Sequence, residues 1–404
     1  MKDLVKLTLC AAVMLHTTVS MSMVRAQDVD FAGCIDNLKD RARAEGLPNY
    51  VVNEVMAGLQ PQTRVLELDR AQPEFIQTFA NYLYRRITPE RVAIGRQLRA
   101  EYKEFLDDLT RIYGIPGQYL VAFWGLETNY GNYLGKMPTL DSLATLACDP
   151  RRSGFFTEEL MIALKLLHRE SLTPEEMQGS WAGAVGHTQF MPSAYSRYAV
   201  DGDNDGKIDL WKSERDALAS AANFLRGLGW QAGERWGREV LLPKDFPYEQ
   251  SGLQNRRTLK YWSEIGVVAH NKQALPAVNM RASLLVPSGH SGPAFLVYQN
   301  FQIIMRWNRS ESYALAVGLL ADRIAGAADL VNRPSTSEQA LSRNQIISMQ
   351  QKLNQLGFDA GQPDGILGPG TRGALRQFQI TRGIIADGYP DNATLEALRM
   401  RTDS

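Results

Sequence analysis

The apolar residues in the first half of the chain recur at helical spacing, and this pattern constrains the fold more than any other feature. Between residues 94 and 112 they follow one another at steps of three and four, at Ile94, Leu98, Tyr102, Phe105, Leu109 and Ile112. This spacing predicts one long helix with a single apolar face. Gly114 and Pro116 then end it. Residues 119–126 are apolar nearly throughout and predict a buried helix that ends near residues 128–131.

Two more helices are predicted in the middle of the chain. Thr157 can cap a helix that runs to about Arg169. Residues 173–176 read Thr-Pro-Glu-Glu, a capping box with proline at the first helical position, and this predicts another helix start.

The composition changes after Trp230, where glycine and proline become frequent. Short β-rich runs at 283–286, 295–298 and 301–307 predict a small β-rich insert within about residues 231–307. A last helix is predicted from about residue 312 to 325. The fold class predicted for this part of the chain is therefore mainly α with a β-rich insert.

The last sixty or so residues read as a separate helical module. Residues 329–339 are polar and uncapped, which predicts an interdomain linker. The module at 340–404 has three short apolar helix faces, and two Asp-Gly turns, at Asp364-Gly365 and Asp387-Gly388, separate them. It predicts a small three-helix domain.

The N-terminus reads as an export signal. Lys2 and Lys6 precede a short apolar run, and Val24-Arg25-Ala26 fits a cleavage site after residue 26. A membrane anchor is the alternative, but the run is shorter than the roughly 20 residues that span a bilayer. Export would place Cys34 and Cys148 where a disulfide can form, although two free buried thiols would also fit the sequence.

The charge balance excludes some partners. The chain has 44 basic and 44 acidic residues, so nothing in it indicates binding to nucleic acid or to an anionic membrane surface.

We expect a monomer that is exported to the periplasm and is associated with its substrate there.

One candidate catalytic residue stands at the end of the predicted buried helix. Residues 123–131 read FWGLETNYG and place Glu127 after an apolar stretch. A carboxyl group in such surroundings is costly to ionise, so its pKa should rise. A carboxylic acid that stays protonated near neutral pH can protonate a glycosidic oxygen. A helix-terminal glutamate that is exposed or salt-bridged is the alternative interpretation.

A second segment, residues 179–193, reads GSWAGAVGHTQFMPS. Its glycines and alanines allow the backbone to approach a ligand closely. Ser180 and Gln189 offer hydrogen bonds to sugar hydroxyl and N-acetyl groups, and Phe190 and Met191 offer apolar surface to pyranose faces. A tightly packed junction without a ligand is the alternative.

These segments resemble the lytic murein transglycosylase B family. The family's G-x-E-T-x-x-G and S-x-A-G-A-x-G-x-x-Q-F-M-P-S signatures occur in order and at the right separation. The family's Tyr-Gln-Asn-Phe segment occurs at 298–301, and residues 307–317 are similar to its Y-N-x-S-x-x-Y-A-x-A-V region. Residues 151–156 resemble its double-arginine segment. The likeness covers about residues 30–328.

The resemblance implies a lysozyme-like fold with Glu127 as the catalytic acid. The implied sugar-binding residues are Ser180, Gln189, Phe190, Met191, Arg151, Arg152, Tyr298, Asn300, Asn308 and Tyr313. Trp307 and Phe224 stand where the family usually has tyrosine. We therefore expect the hydroxyl hydrogen bonds at these two positions to be lost, and ring stacking to remain.

Neither motif contains a second carboxylate, and this shapes the predicted mechanism. Substrate-assisted glycosidases need one acid, because the N-acetyl group of the sugar attacks the anomeric carbon. Glu127 would protonate the leaving oxygen and then remove the proton of the C6 hydroxyl, which gives a 1,6-anhydro product. A hydrolytic muramidase with a distal second acid and a non-catalytic wall-binding scaffold remain the alternatives.

Residues 201–209 read DGDNDGKID, the first half of an EF-hand loop. Oxygens at alternate positions with glycine at position 6 suit a hard cation. The predicted calcium ligands are Asp201, Asp203, Asp205, the carbonyl of Lys207 and, by resemblance to the family, Asp216. The ion would be structural, and no cofactor is expected for catalysis. A solvated acidic turn is the alternative.

The C-terminal module resembles the three-helix peptidoglycan-binding domain. Its residues 364–371 read DGILGPGT, which matches the D-G-x-x-G-x-x-T centre of that domain. The resemblance implies that the module tethers the enzyme to peptidoglycan glycan strands, with other cell-wall enzymes as candidate partners. A generic helical bundle is the alternative.

Overall fold

The computed structural model describes residues 30–71, 77–337 and 339–400. The predicted signal segment, residues 1–26, lies outside the described residues. In the part of the chain that is described, every helix is too short or too polar to cross a bilayer.

Helices dominate the part of the chain before residue 325. They are α1 (Phe31–Ala44), α2 (Thr63–Ala71), α3 (Phe79–Arg86), α4 (Pro89–Glu101), α5 (Lys103–Tyr113), α6 (Gly117–Thr128), α7 (Thr139–Cys148), α8 (Ser153–Arg169), α9 (Pro192–Tyr198), α10 (Glu214–Gly227), α11 (Leu259–Glu264), α12 (Gln299–Trp307) and α13 (Glu311–Ile324). A short π-helix at Val51–Val55 and 3-10 turns at Met56–Gly58 and Tyr248–Gln250 join them.

The strands form a two-stranded ribbon and one small sheet. They are β1 (Met137–Pro138), β2 (Gln178–Gly179), β3 (Gly237–Leu241), β4 (Arg257–Thr258), β5 (Val268–Ala269), β6 (Arg281–Leu285) and β7 (Ala294–Val297). The ribbon pairs β1 with β2, and the antiparallel sheet has the order β4-β6-β7-β3-β5.

Helix α6 runs through the centre of the main core. It is apolar on every side, as expected for a helix that is surrounded by others, and α4, α5, α10 and α13 pack around it. Gly125 lets the chain fold back over the helix, because a Cβ there would lie 2.7 Å from the ring of Tyr130. The residue at the end of α6 is therefore held by packing on several sides.

A second core lies beneath α1, α7 and α8. The structure joins Cys34 of α1 to Cys148 at the end of α7 by a disulfide, with a Cα–Cα distance of 5.9 Å. The bridge closes a segment of 114 residues.

The sheet separates the main core from a third one. Along β7, Phe295 and Val297 face the helical core, whereas Ala294 and Leu296 face a core centred on Trp262. This alternation is the period of two that a strand imposes. The sheet is buried on both faces and supports α12, which follows it.

Three predicted elements were wrong, and Thr157, which was predicted to cap a helix, lies inside α8 (Ser153–Arg169). The helix predicted from residue 94 to 112 is two helices, because the chain breaks at Tyr102 (φ −90°, ψ 15°). The predicted strand at 301–307 is α12, in which the hydrophobic residues Phe301, Ile304 and Trp307 recur every three residues. Its β-branched residues had suggested a strand.

The third error is the helix predicted at Thr173. The capping hydrogen bonds do form, since Thr173 N donates to Glu176 Oε2 (3.0 Å) and Glu176 N donates to Thr173 Oγ1 (3.4 Å). The chain nevertheless makes one turn and enters β2, where Gly179 pairs with Met137. Tertiary pairing overrides the local helix signal.

The C-terminal domain has three helices, α14 (Arg343–Gln355), α15 (Pro369–Arg382) and α16 (Asn392–Ala397), around a core that includes Phe378. The segment before it is fixed at its start. Glu239 of β3 accepts hydrogen bonds from the backbone of Val331 (3.0 Å) and Asn332 (2.8 Å), and Tyr84 donates to the carbonyl of Pro334 (3.2 Å).

Candidate active site

Glu127 lies in the last turn of α6. The helix ends there because Asn129 and Tyr130 adopt left-handed backbone conformations, with φ of 52° and 61°. Its neighbours Leu126 and Thr128 are buried, whereas Glu127 is half-buried. The structure therefore presents one carboxyl group at the edge of an apolar core, as the sequence predicts.

Two donors converge on one oxygen of this carboxyl group. Trp307 Nε1 donates to Glu127 Oε1 at 3.0 Å, and the hydroxyl of Tyr313 donates to the same oxygen. Trp307 ends α12 and Tyr313 lies in the first turn of α13, so the junction of these helices aims both groups at the end of α6. No described residue donates a hydrogen bond to Oε2.

The electrostatics favour the protonated acid. Burial raises the pKa of Glu127 to about 6, while the hydrogen bonds from Tyr313 and Trp307 and the charge of Arg86 act in the opposite direction. Burial and the nearby Glu127 raise the pKa of Tyr313 well above its usual value, so its hydroxyl remains a donor. Glu127 can thus give up and take back a proton near neutral pH.

Aromatic rings hold Trp307 in place. Its ring lies 4.5 Å from Phe123, 5.0 Å from Phe224 and 5.5 Å from Phe190, measured between centroids. Although Trp307 has no hydroxyl group, it still makes a hydrogen bond in the site, because its indole N–H donates to Glu127 Oε1. Phe224 contributes packing and stacks on Tyr198.

Phe190 differs from its predicted role. Its side chain is 1% exposed, so its ring supports Trp307 and has no face open to a sugar. Met191 is half-buried and packs against the second core. The direct stacking predicted for Phe190 is therefore corrected to support of Trp307 from behind.

Ser180 and Gln189 shape the loop that contains them. Ser180 Oγ accepts from Ala184 N (3.1 Å), and Gln189 Nε2 donates to the carbonyls of Leu134 and Gly186, both at 3.0 Å. Gln189 has a φ of 49°, and no described residue donates to its amide oxygen. Both side chains are half-buried, and their contact with sugar stays a prediction.

His187 joins the two motifs, and the sequence analysis missed it. Its Nδ1 accepts a hydrogen bond from Trp124 Nε1 (3.0 Å), and its carbonyl accepts one from Thr128 Oγ1 (2.7 Å). Both partners flank Glu127 on α6. The buried histidine thus fixes the second segment against the end of the catalytic helix. Its place within the second motif was the available signal.

Arg151 and Arg152 share one buried carboxylate. Both guanidinium groups pair with Asp69, whose side chain is 3% exposed, and Arg151 also donates to the Asp69 carbonyl (3.1 Å). Asp69 was not anticipated from the sequence. Burial, the charge of Arg152 and that of Arg343 lower the pKa of Arg151. The two arginines remain partly exposed, and their contact with substrate stays a prediction.

Tyr298 and Asn300 are buried, which corrects their predicted place among the sugar-binding residues. Asn300 accepts from Gln231 N (2.7 Å) and donates to the carbonyls of Gln231 (2.9 Å) and Glu234 (2.8 Å). Tyr298 and Asn300 therefore hold the start of α12 in place. Asn308 follows that helix, is exposed, and accepts from Ser310 N (3.1 Å).

The acidic loop brings three of its predicted ligands together. One carboxylate oxygen from each of Asp201, Asp203 and Asp205 lies within 4.8 Å of the others. Asp216 is different: its oxygens accept from Gly202 N (2.8 Å) and Asp209 N (2.7 Å), and its side chain is 1% exposed. Asp216 therefore braces the loop and is not among the clustered oxygens. Lys207 N donates to Asp205 Oδ1 (2.8 Å).

Comparison with known proteins identifies the family. Residues 30–322 match the family model described as a transglycosylase SLT domain. The chain belongs to this family. Residues 342–398 match the model of a putative peptidoglycan-binding domain. The family and the lysozyme-like, mainly helical fold predicted from the sequence are both confirmed.

Relatives of known structure resemble most of the chain. SltB3 of Pseudomonas aeruginosa, solved with NAG-NAM-pentapeptide, is 43% identical with a TM-score of 0.87, over 91% of this chain and 99% of that one. The lytic transglycosylase Slt35 of Escherichia coli, solved with calcium, is 30% identical with a TM-score of 0.64, over 73% of this chain and 94% of that one.

Among curated proteins, the membrane-bound lytic murein transglycosylase B of Escherichia coli K12 is 34% identical over 241 residues. The match spans 59% of this chain and 65% of the E. coli protein, slightly under two thirds of its length.

Proposed function

We propose that this member of the SLT family is a lytic transglycosylase of peptidoglycan. It cleaves the β-1,4 bond between MurNAc and GlcNAc and leaves 1,6-anhydro-MurNAc ends, in remodelling or turnover of the cell wall. The observation that supports this best is the half-buried Glu127, whose pKa is about 6 and whose Oε2 accepts no hydrogen bond from a described residue. SltB3, its relative, has been solved with NAG-anhNAM-pentapeptide.

The first step uses the proton on Glu127. The protonated carboxyl group gives its proton to the leaving O4 of GlcNAc as the bond from this oxygen to C1 of MurNAc breaks. The carbonyl oxygen of the MurNAc N-acetyl group forms a new bond to C1, which yields an oxazolinium ion. Trp307 and Tyr313 stabilise the carboxylate left on Glu127, because both donate to its Oε1.

The second step returns the proton. The Glu127 carboxylate removes the proton of the C6 hydroxyl of MurNAc, and O6 attacks C1 as the bond from C1 to the acetyl oxygen breaks. The N-acetyl group is restored and Glu127 is again protonated. One carboxyl group is thus sufficient, and none of the groups that shift its pKa is a carboxylate.

The products test this proposal. Purified sacculi digested with the protein should release muropeptides with anhydro-MurNAc ends, seen by mass spectrometry. Glu127→Gln should lower the rate by about a hundredfold or more, the usual contribution of general acid–base catalysis. Reducing ends instead of anhydro ends would identify a hydrolytic muramidase. Binding without release would leave a non-catalytic scaffold.

The acidic loop fits a structural calcium ion. Three clustered carboxylates with Gly206 at the turn (φ 88°) supply the hard oxygen ligands that calcium prefers. With a dissociation constant of about 0.1 mM, 1 mM calcium would stabilise the fold by about 1.4 kcal/mol. The melting temperature should rise with calcium, and the rise should vanish in Asp203→Asn. An unchanged wild-type melting temperature would refute the site.

The C-terminal domain and the predicted export signal support a location at the cell wall. The domain would tether the enzyme to peptidoglycan and raise the local concentration of glycan strands. The chain would act in the periplasm after cleavage near Ala26. Fractionation should find the mature protein in the periplasm, and a cytoplasmic location would contradict this. The monomeric state and other cell-wall partners stay predictions.

A further inference from the structure

The C-terminal domain contains two units with the same hydrogen bonds, atom by atom. In the first, Gln350 Nε2 donates to Asp364 Oδ1 (2.9 Å), to the Ile366 carbonyl (3.1 Å) and to Thr371 Oγ1 (3.0 Å). Its Oε1 accepts from Gly365 N (2.9 Å). One glutamine thus fixes the first Asp-Gly turn against the helix that precedes it.

The second unit repeats this arrangement. Gln379 Nε2 donates to Asp387 Oδ1 (3.1 Å), to the Tyr389 carbonyl (3.0 Å) and to Thr394 Oγ1 (3.0 Å), and Oε1 accepts from Gly388 N (2.8 Å). In both units the threonine follows the aspartate by seven positions. The domain is therefore an internal duplication.

An arginine completes each unit. Arg343 precedes Gln350 by seven positions, and Arg372 precedes Gln379 by the same number. The turn glycine approaches the arginine backbone in both cases: a Cβ on Gly365 would lie 3.1 Å from the Arg343 carbonyl oxygen, and one on Gly388 would lie 2.7 Å from that of Arg372.

We call the two units the first half-site (Arg343, Gln350, Asp364, Gly365 and Thr371) and the second half-site (Arg372, Gln379, Asp387, Gly388 and Thr394).

The second half-site holds a piece of the chain's own backbone. Asp387 Oδ2 accepts from His290 N (2.8 Å) and lies 2.8 Å from His290 Nδ1. Arg372 donates to the carbonyl of Pro287 (3.3 Å). The carboxylate of Asp387 thus binds the N–H of His290, and the guanidinium group of Arg372 binds the C=O of Pro287. Both backbone groups belong to the turn between β6 and β7, three residues apart. The bound group is a peptide turn with a nitrogen-bearing side chain.

The first half-site presents the same pair to solvent. Arg343 and Asp364 are both exposed. One guanidinium nitrogen of Arg343, Nη2, donates to the backbone carbonyl of Asp364 (3.0 Å), and Asp364 Oδ2 accepts no hydrogen bond from a described residue. Besides burial and the charge of Arg152, the charge of Arg343 also lowers the pKa of Arg151, one of the two arginines that are predicted to flank the sugar-binding residues.

We propose that the first half-site binds the stem peptide of peptidoglycan through Arg343 and Asp364, as the second half-site binds the turn at 287–290. Arg343 donates to a carbonyl of the stem peptide, and Asp364 accepts an N–H from it. The His290 ring on Asp387 indicates the place of a second, cationic donor, such as the free amine of a diamino acid. This assignment rests on the proposed function and makes peptide, rather than glycan, the ligand of this surface.

Titration calorimetry with a stem pentapeptide that contains a free diamino-acid amine tests the proposal. The full chain carrying Glu127→Gln serves as background. Arg343→Gln and Asp364→Asn should each weaken binding by about tenfold to a hundredfold, since each removes a charged hydrogen-bonding partner. Acetylation of the free amine should weaken binding to the background chain as well.

Asp359→Asn is the matched control, because Asp359 is an exposed carboxylate of the same domain that accepts from Gly361 N (3.0 Å). It should bind the peptide as the background does. Asp364→Asn retains Oδ1, the acceptor for Gln350 and Ile366, and should keep the background melting temperature.

The proposal would be overturned if the Glu127→Gln background and its three variants bound the peptide with equal affinity. It would also be overturned if the background did not bind the peptide at all. The proposed function fails separately. It is lost if the wild-type chain releases no anhydro ends from peptide-free glycan strands, an outcome that does not depend on peptide binding.

Discussion

Two glutamates of the catalytic part of the chain, Glu159 and Glu127, show how the same side chain serves structure in one place and chemistry in another. Glu159 of α8 is buried, and each of its oxygens has a donor: Oε1 accepts from Ser193 Oγ (2.6 Å) and Oε2 from Ser193 N (2.9 Å). Glu127 has two donors on Oε1 and none among the described residues on Oε2. A buried carboxylate with both oxygens bonded holds the fold together, whereas one with a free oxygen can exchange a proton.

Glu239 supports the same distinction. Its two oxygens accept from Asn332 N and Val331 N and secure the segment that leads to the C-terminal domain. In each structural case the donors are fixed by backbone or a short side chain. The donors to Glu127 are the ends of long aromatic side chains from α12 and α13.

The largest expected effect is on the free energy of unfolding, which substitution by glutamine should raise at Glu127 and lower at Glu159. Because burial raises the pKa of Glu127 to about 6, its ionised form is disfavoured in the folded state at neutral pH. As the pH rises from the pKa of Glu127 in the unfolded chain through about 6, its pKa in the folded protein, the free energy of unfolding falls. The total loss is about 1–2 kcal/mol. Glu127→Gln should therefore stabilise the fold at pH 7.5. Glu159→Gln should destabilise it by about 1–3 kcal/mol.

Chemical denaturation at pH 7.5 and pH 4 measures both changes. The gain from Glu127→Gln should largely disappear at pH 4, where the wild-type carboxyl group is mostly protonated in both the folded and the unfolded state. A loss of stability in this variant at pH 7.5 would place Glu127 with the structural carboxylates and break the comparison.

A smaller effect should appear in the pH dependence of cleavage. The hydrogen bond from Tyr313 lowers the pKa of Glu127 against the effect of burial, so Tyr313→Phe should raise that pKa. The first step needs the protonated acid, so activity falls as pH rises through the pKa. The alkaline limb of the pH profile of kcat/KM should thus shift to a pH about one unit higher. Trp307→Phe should move it less, in the same direction.

The rate of release of anhydro ends from solubilised glycan, followed from pH 4 to 9, gives these limbs. Ser193→Ala provides the control, since it removes a donor to Glu159 and should leave the limb unchanged. A limb that stays fixed in Tyr313→Phe would mean that another group titrates.

The sequence predicted the residues that depend on local pattern better than those that depend on tertiary contact. The helix that ends in Glu127 was predictable because its apolar run, and the left-handed turn after it, are local. The Trp307 donor was not, because the position of its indole N–H depends on rings from three other segments. The burial of Asn300 and Phe190 escaped prediction for the same reason: a motif indicates which residues recur together, not which of them face the solvent.

The C-terminal domain is also held against the rest of the chain by its own contacts. Arg372 donates to the carbonyl of Pro287 (3.3 Å), Arg376 Nε donates to Ser251 Oγ (3.1 Å), and Asp387 accepts from His290 N (2.8 Å). A wall-binding domain fixed in this way cannot search the wall independently, so it and the active site should act on the same stretch of polymer.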